Sequence, residues 1–228
     1  MTLPTLSVPT FDVEVYSTKQ TVRMRPFLVK EEKILILAAE SNSKADMIRA
    51  MRQVIASCAN NQIDAENLPF FDLQNIFIKL RAQSIGNESE FNLICGECGH
   101  KTPTILNLDQ IQLQITEEHT QKILLADDIG VIMKYPTADI LTQEDMPVFD
   151  LVAACVDKIF TQDELHSAEE EGHEAVCNFL DGLTSEQFDK IAQFFVTSPK
   201  IYHRMDYDCS KCGTDNSVVI DGIENFFG

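Results

Sequence analysis

Cys95-Gly96-Glu97-Cys98-Gly99 and Cys209-Ser210-Lys211-Cys212-Gly213 are two copies of one pattern, a Cys-x-x-Cys followed at once by glycine. The chemistry this pattern offers is metal binding by thiolate. The spacing lets both sulfurs of one copy point the same way from a tight turn. The glycine can take a positive φ without a Cβ clash, so nearby N–H groups can turn toward sulfur. One copy is half of a tetrahedral site, and two copies supply the four ligands that structural Zn²⁺ takes. The sequence therefore predicts one Zn²⁺ per chain, on Cys95, Cys98, Cys209 and Cys212. Four protein ligands leave no open position, so such a site stabilises a fold and does not activate water.

Between Cys98 and Cys209 lie 110 residues, where a compact zinc ribbon has about 15–20. The chain is expected to leave the ribbon, build something else and return. Strand-like segments flank both copies: Glu90–Ile94 and Lys101–Leu106 around the first, Ile201–Asp208 and Asn216–Ile220 around the second. Two such hairpins facing each other make a split zinc ribbon. The competing reading is a pair of redox-active dithiols. A thioredoxin-like motif opens a helix. Here Pro103 and β-branched residues follow the first copy, and Thr214–Val219 reads as turn and strand after the second. Thiol titration with and without chelator separates the two readings.

The elements that must position these cysteines can be read in outline. Phe11–Tyr16 and Gln20–Pro26 alternate in polarity around Ser17-Thr18-Lys19 and read as a hairpin. Helices are expected over Lys30–Ala39, from a Ser43 cap to about Cys58, and after Pro69. In the last, Phe70, Leu73, Phe77 and Leu80 recur at the helical interval. Together they form an N-terminal unit over residues 1–88. Residues 89–228 are expected to form the discontinuous zinc-ribbon domain. Within it, Leu106–Ile115 alternates, and Lys122–Leu125 and Val131–Tyr135 flank a hairpin signal at Asp127-Asp128-Ile129-Gly130. A helical insertion follows at about 137–199. It contains an amphipathic Asp145–Phe160, a shorter Glu169–Leu180, and a helix through Val196 opened by the capping box Thr184-Ser185-Glu186-Gln187. Gly222–Phe227 reads as a short terminal helix that docks Phe226 and Phe227. The fold class is α+β.

Composition narrows the function. A chain of 228 residues, 44% hydrophobic, can bury one or two cores. Cys58, Cys155 and Cys177 lie on apolar stripes and read as small core filler. Unpaired thiols and the lack of a secretory signal suggest a reducing, cytosol-like compartment. The longest apolar runs are too short to span a bilayer, so a soluble protein without a membrane partner is expected. Net charge is −18, with residues 1–60 carrying +2 and the remainder −20. That balance disfavours nucleic acid, which calls for a basic face. A zinc-ribbon nucleic-acid-binding or transcription-associated factor stays as the alternative, resting on the small basic cluster Lys200, His203, Arg204 and Lys211. An acidic body instead suits a basic protein partner. Six acids crowd Asp163–Glu174, which is the first contact surface to consider. The second comprises Lys44, Arg49 and Arg52. Phe194 or Phe195 would serve as apolar anchor or as core. His100 reads as a turn residue. His166 and His173, seven apart in the acidic stretch, could share a helix face and bind metal weakly, but a plain solvated loop or helix face is the favoured reading of that stretch. The chain has no phosphate-binding glycine loop, nucleophile elbow or His-Glu-x-x-His, and no catalytic residues are assigned.

Three strings carry a family resemblance. They are Thr21 to Leu37 (TVRMRPFLVKEEKILIL); Ile78 to Ser84 (IKLRAQS), which precedes the first cysteine pair; and Pro199 to His203 (PKIYH), followed by the second pair and Gly222 to Phe227 (GIENFF). The chain resembles the baseplate hub proteins of T4-like contractile-tailed phages over most of its length. That family contains a hub subunit and a hub-assembly factor. The resemblance implies a non-enzymatic protein that helps build, or sits in, the centre of the tail baseplate. The implied partners are other hub proteins and the tape-measure protein. The implied location is the host cytoplasm during assembly, or the virion baseplate.

Overall fold

The structure is a computed structural model that describes residues 6–143 and 146–220. The chain divides into two compact units, Met1–Gln114 with Lys200–Gly228, and Ile115–Pro199.

The first unit opens with a hairpin of β1 (Phe11–Val15) and β2 (Gln20–Met24), in the register Val13↔Val22. Its period of two places Val13, Val15, Val22 and Met24 on the buried face. Helices α1 (Val29–Glu40) and α2 (Lys44–Cys58) pack on each other, and α3 (Phe70–Ser84) packs on α2 and β1. Ser43 caps α2 by accepting the Asp46 amide, as its sequence predicts. Helix α3 is buried on nearly every side, from Phe71 through Ile78 and on to Leu80 and Ala82. Its first turn presents Asp72, fully buried, which accepts the Tyr16 and Ser17 amides at 2.9 and 3.0 Å. Two charge-assisted bonds and the positive end of α3 offset the cost of burying that carboxylate.

A second buried carboxylate joins β2, α1 and α2. Glu31 accepts from Arg25 Nη2 at 2.8 Å, Ser57 Oγ at 2.8 Å and the Leu28 amide at 2.9 Å. Its side chain is 2% exposed. Burial alone would raise its pKa. Arg25, the Leu28 amide and Ser57 outweigh that and pull it from the ordinary 4.5 down to about 2. Arg25 and Glu31 both lie in the Thr21–Leu37 string that carries the family resemblance.

The rest of the first unit is two further hairpins. β3 (Glu88–Ile94) pairs with β4 (Lys101–Asn107), and β10 (Lys200–Asp208) with β11 (Asp215–Ile220). After β4 a short 3-10 turn leads into β5 (Gln112–Gln114), which pairs with the start of β10. Gln114 faces Lys200 in that ladder, so the chain leaves and re-enters this unit at paired residues. The boundary expected near residue 88 falls inside this unit, where α3 packs on β5 and β10.

The second unit is an antiparallel sheet with helices. β6 (Lys122–Leu124), β7 (Gly130–Met133), β8 (Val156–Phe160) and β9 (Leu165–Ser167) lie in that order. The helices are α4 (Ala138–Leu141), α5 (Val148–Ala154), α6 (Ala168–Glu171), α7 (His173–Asp181) and α8 (Ser185–Thr197). The core contains Val131, Met133, Val152, Val176, Leu180, Ile191 and Phe194. Gly130 is required by close approach: a Cβ there would collide with the Ile123 carbonyl and the Phe160 ring. The capping box of α8 forms as expected, with Thr184 Oγ1 accepting the Gln187 amide and Gln187 Oε1 accepting the Thr184 amide.

Four expectations are corrected. The amphipathic Asp145–Phe160 is helix only over Val148–Ala154, and then becomes β8. Its apolar spacing suits a helix, but Val156, Ile159 and Phe160 equally suit a strand, and pairing with β7 decides. Glu169–Leu180 is two helices, broken where Gly172 takes φ 85°. The alternating Leu106–Ile115 is interrupted at Asn107, whose side chain accepts the Asp109 amide and starts the 3-10 turn. The insertion is not purely helical, because 137–199 also carries β8 and β9. The expected terminal helix at Gly222–Phe227 lies outside the described residues.

Candidate metal centre

Each Cys-x-x-Cys sits at the tip of a hairpin, and the two tips are built alike. Cys95 donates its amide to the His100 carbonyl, and Cys209 donates its amide to the Thr214 carbonyl. Gly99 and Gly213 donate back to Cys95 and Cys209, at 3.0 and 2.9 Å. Both glycines are left-handed, with φ 66° and 71°. A Cβ would be strained there, which is why glycine follows each pair.

The tips are also tied to each other reciprocally. The Gly96 amide donates to Asn216 Oδ1 at 3.1 Å, and the Ser210 amide donates to Thr102 Oγ1 at 3.3 Å. Asn216 and Thr102 occupy the same place in their hairpins, four residues past the second cysteine. Exchange of the two hairpins therefore maps one contact onto the other. The sulfurs obey the same exchange: Cys95 Sγ lies 3.7 Å from Cys212 Sγ, and Cys98 Sγ lies 3.6 Å from Cys209 Sγ.

All four ligand atoms lie within 4.8 Å of one another. A tetrahedron with metal–sulfur bonds of about 2.3 Å has edges of about 3.8 Å, close to the two separations above. The electrostatics point the same way. The Cys212 and Lys211 amides pull Cys209 down to about 6, and the Cys98 and Glu97 amides lower Cys95. The His100 amide favours the Cys98 thiolate, but desolvation and three thiol neighbours overrule it, pushing Cys98 up to about 12. Among the described residues, no Lys, Arg or His side-chain nitrogen hydrogen-bonds any of the four sulfurs. The donor set fits a metal.

The sequence read the four cysteines but not their supports. Asn216 also donates to Cys95 Sγ at 3.6 Å, and Cys212 Sγ lies 3.2 Å from Thr214 Oγ1. The readable signal was the equal offset of Thr102 and Asn216 from their cysteine pairs. His100 takes part only through its backbone, in keeping with a turn residue.

The family model of the T4 bacteriophage base plate protein matches residues 8–228. The chain belongs to this family. It is also similar to the baseplate hub assembly protein gp26 of Enterobacteria phage T4, with 25% identity over 217 residues, 95% of this chain and 96% of that protein. No solved structure matches. Membership in a base plate family agrees with a protein that is not an enzyme. No helix among the described residues is long and apolar enough to cross a membrane.

Other predicted positions fare unevenly in this base plate protein. His166 and His173 do not share a metal group. His166 contacts Glu171 and Glu164 at 3.1 and 3.3 Å, whereas His173 lies beside Cys177 and Asp150. His166 lies on strand β9, whereas His173 opens α7. Cys58 and Cys155 are buried as expected, but Cys177 is only half-buried. Phe194 is core, not an anchor, and stacks on Tyr135. Arg52 is buried against Glu66 and is no open contact. Arg49 is exposed and paired with Asp46, and Arg204 is paired with Asp206. The acids of Asp163–Glu174 are exposed.

Proposed function

We propose that this chain is a non-enzymatic hub-assembly protein of a phage tail baseplate, stapled by one Zn²⁺. The observation that carries the reading is the match of a base plate family model to residues 8–228, together with similarity to a baseplate hub assembly protein at nearly full length in both chains. Cys95, Cys98, Cys209 and Cys212 would hold the zinc and make the two hairpins a split zinc ribbon within the first unit. The ion supplies four-way crosslinking between the hairpins and leaves no position for substrate.

The partners in this reading are other hub proteins and the tape-measure protein, met in the host cytoplasm during assembly. The exposed acids Asp163, Glu164, Glu169, Glu170, Glu171 and Glu174 support a basic partner surface. Attraction of this kind is screened beyond about 8 Å at physiological salt, so it steers association more than it holds the complex. The test is co-purification from infected cells. A hub-assembly factor comes down with hub and tape-measure proteins before tails mature and is missing from virions. Recovery with neither partner would refute the reading. Recovery in finished virions would make it a structural hub component. Neutralising Glu169, Glu170 and Glu171 together should slow association with tape-measure fragments at low salt, and an unchanged rate would move the surface elsewhere.

A further inference from the structure

We infer a second metal site, separate from the four-cysteine group, formed by Asp150, His173 and Cys177 in the second unit. His173 and Cys177 are four residues apart on α7, so they share one face of that helix. Asp150 reaches the same point from α5, which packs on α7. Their ligand atoms lie within 4.8 Å of one another.

The geometry favours a shared ion over a proton relay. Cys177 Sγ is 3.5 Å from His173 Nε2, and Asp150 Oδ1 is 4.0 Å from that same nitrogen. A nucleophile–base–acid relay puts the thiol on one ring nitrogen and the carboxylate on the other. Here both converge on one nitrogen, as ligands of a common centre do. Bonds of about 2.3 Å to sulfur and about 2.1 Å to nitrogen and oxygen give edges of about 3.4–3.6 Å. The sulfur–nitrogen edge already has that length, and the carboxylate needs to move by roughly half an ångström.

A divalent cation bound here would displace the Cys177 proton and neutralise the Asp150 carboxylate. The mixed sulfur, nitrogen and oxygen set suits Zn²⁺. Three protein ligands leave a fourth position open, unlike the four-cysteine group. A groove lined by Gln143, Met146 and Pro147 runs beside Asp150 and His173, where a donor from a partner protein or water can complete the shell.

The test is equilibrium binding of Zn²⁺ and Co²⁺ to the full chain whose first site has been filled. The expected result is a second ion per chain, with a cobalt spectrum that includes a single thiolate ligand. Cys177→Ser and His173→Ala should each weaken the second ion at least tenfold and leave the first unchanged. Asp150→Asn should weaken it less. Circular dichroism checks that the variants fold, which half-exposed positions favour. A wild-type chain that takes one ion only would overturn the inference. So would a second ion bound equally well by the Cys177→Ser, His173→Ala double variant. Neither outcome bears on the four-cysteine site, which is counted separately.

Discussion

Two polar centres of the first unit, at Glu31 and at the four cysteines, gather acidic groups in opposite ways. The Glu31 centre is self-sufficient. Its carboxylate brings its own cation in Arg25 and fills its remaining acceptor sites with Ser57 and a backbone amide. The cysteine centre gathers four acidic groups and backbone donors, and no cationic side chain bonds its sulfurs among the described residues. One centre is complete in the chain alone. The other, in the proposed reading, is completed by an ion, so one should answer to acid and the other to chelators.

The largest expected effect is at the cysteine centre. Zinc binding in small modules contributes on the order of 10 kcal/mol or more, comparable with the whole stability of a domain at about 5–15 kcal/mol. Cys209→Ser should therefore unlock both hairpins, and hydrogen exchange should show lost protection over β3–β4 and β10–β11. The Glu31 centre should stay protected in that variant. Simultaneous loss of both would show that the two centres are not independent.

Next in size is removal of one partner of the buried ion pair. Glu31→Gln leaves Arg25 without its counter-charge, and such half-pairs cost about 3–5 kcal/mol. Denaturant unfolding should show it, with zinc content unchanged. Acid titrates the same centre. The folded pKa lies below the unfolded one, so the stabilisation is complete above about pH 4.5 and fades as pH falls toward 2. The shift corresponds to about 3 kcal/mol. Comparing wild type with Glu31→Gln across that window isolates it: the stability difference should shrink as pH falls, and a difference that stays constant would contradict the assignment.

The smallest effects concern the supports. Asn216→Ala removes the bond to the Gly96 amide and the donor to Cys95, and Thr102→Ala removes its counterpart at Ser210. Lost hydrogen bonds of this kind cost about 0.5–1.5 kcal/mol. The reciprocal geometry predicts that both variants raise the zinc off-rate, Asn216→Ala somewhat more because it also loses the donor to Cys95. A one-sided effect would break the equivalence of the hairpins.

Legibility in the sequence followed the range of the forces involved. The cysteine pairs, the Ser43 and Thr184 caps and the alternating hairpins are local, and their residues announce them. Cys155–Phe160 is not local: its spacing suits helix and strand alike, and only β7 selects the strand. Glu31 and Asp72 are acids in the first turns of α1 and α3, and nothing local marks them for burial. Their burial depends on Arg25, Ser57 and the β1–β2 turn, up to 56 residues away. The 110-residue excursion between the cysteine pairs reads as a structured departure whose ends a metal joins. The pairing of Gln114 with Lys200 already closes it, so the proposed zinc would add to a junction that the backbone has made.

The most direct test of the zinc staple is metal analysis combined with hydrogen exchange on the Cys177→Ser variant, which removes the thiol of the second site. One Zn²⁺ per chain is expected, and stripping it with chelator should deprotect Glu88–Asn107 and Lys200–Ile220 together while β1–β2 stays protected. A metal-free chain with both hairpins fully protected, and four freely titrating thiols at Cys95, Cys98, Cys209 and Cys212, would contradict it.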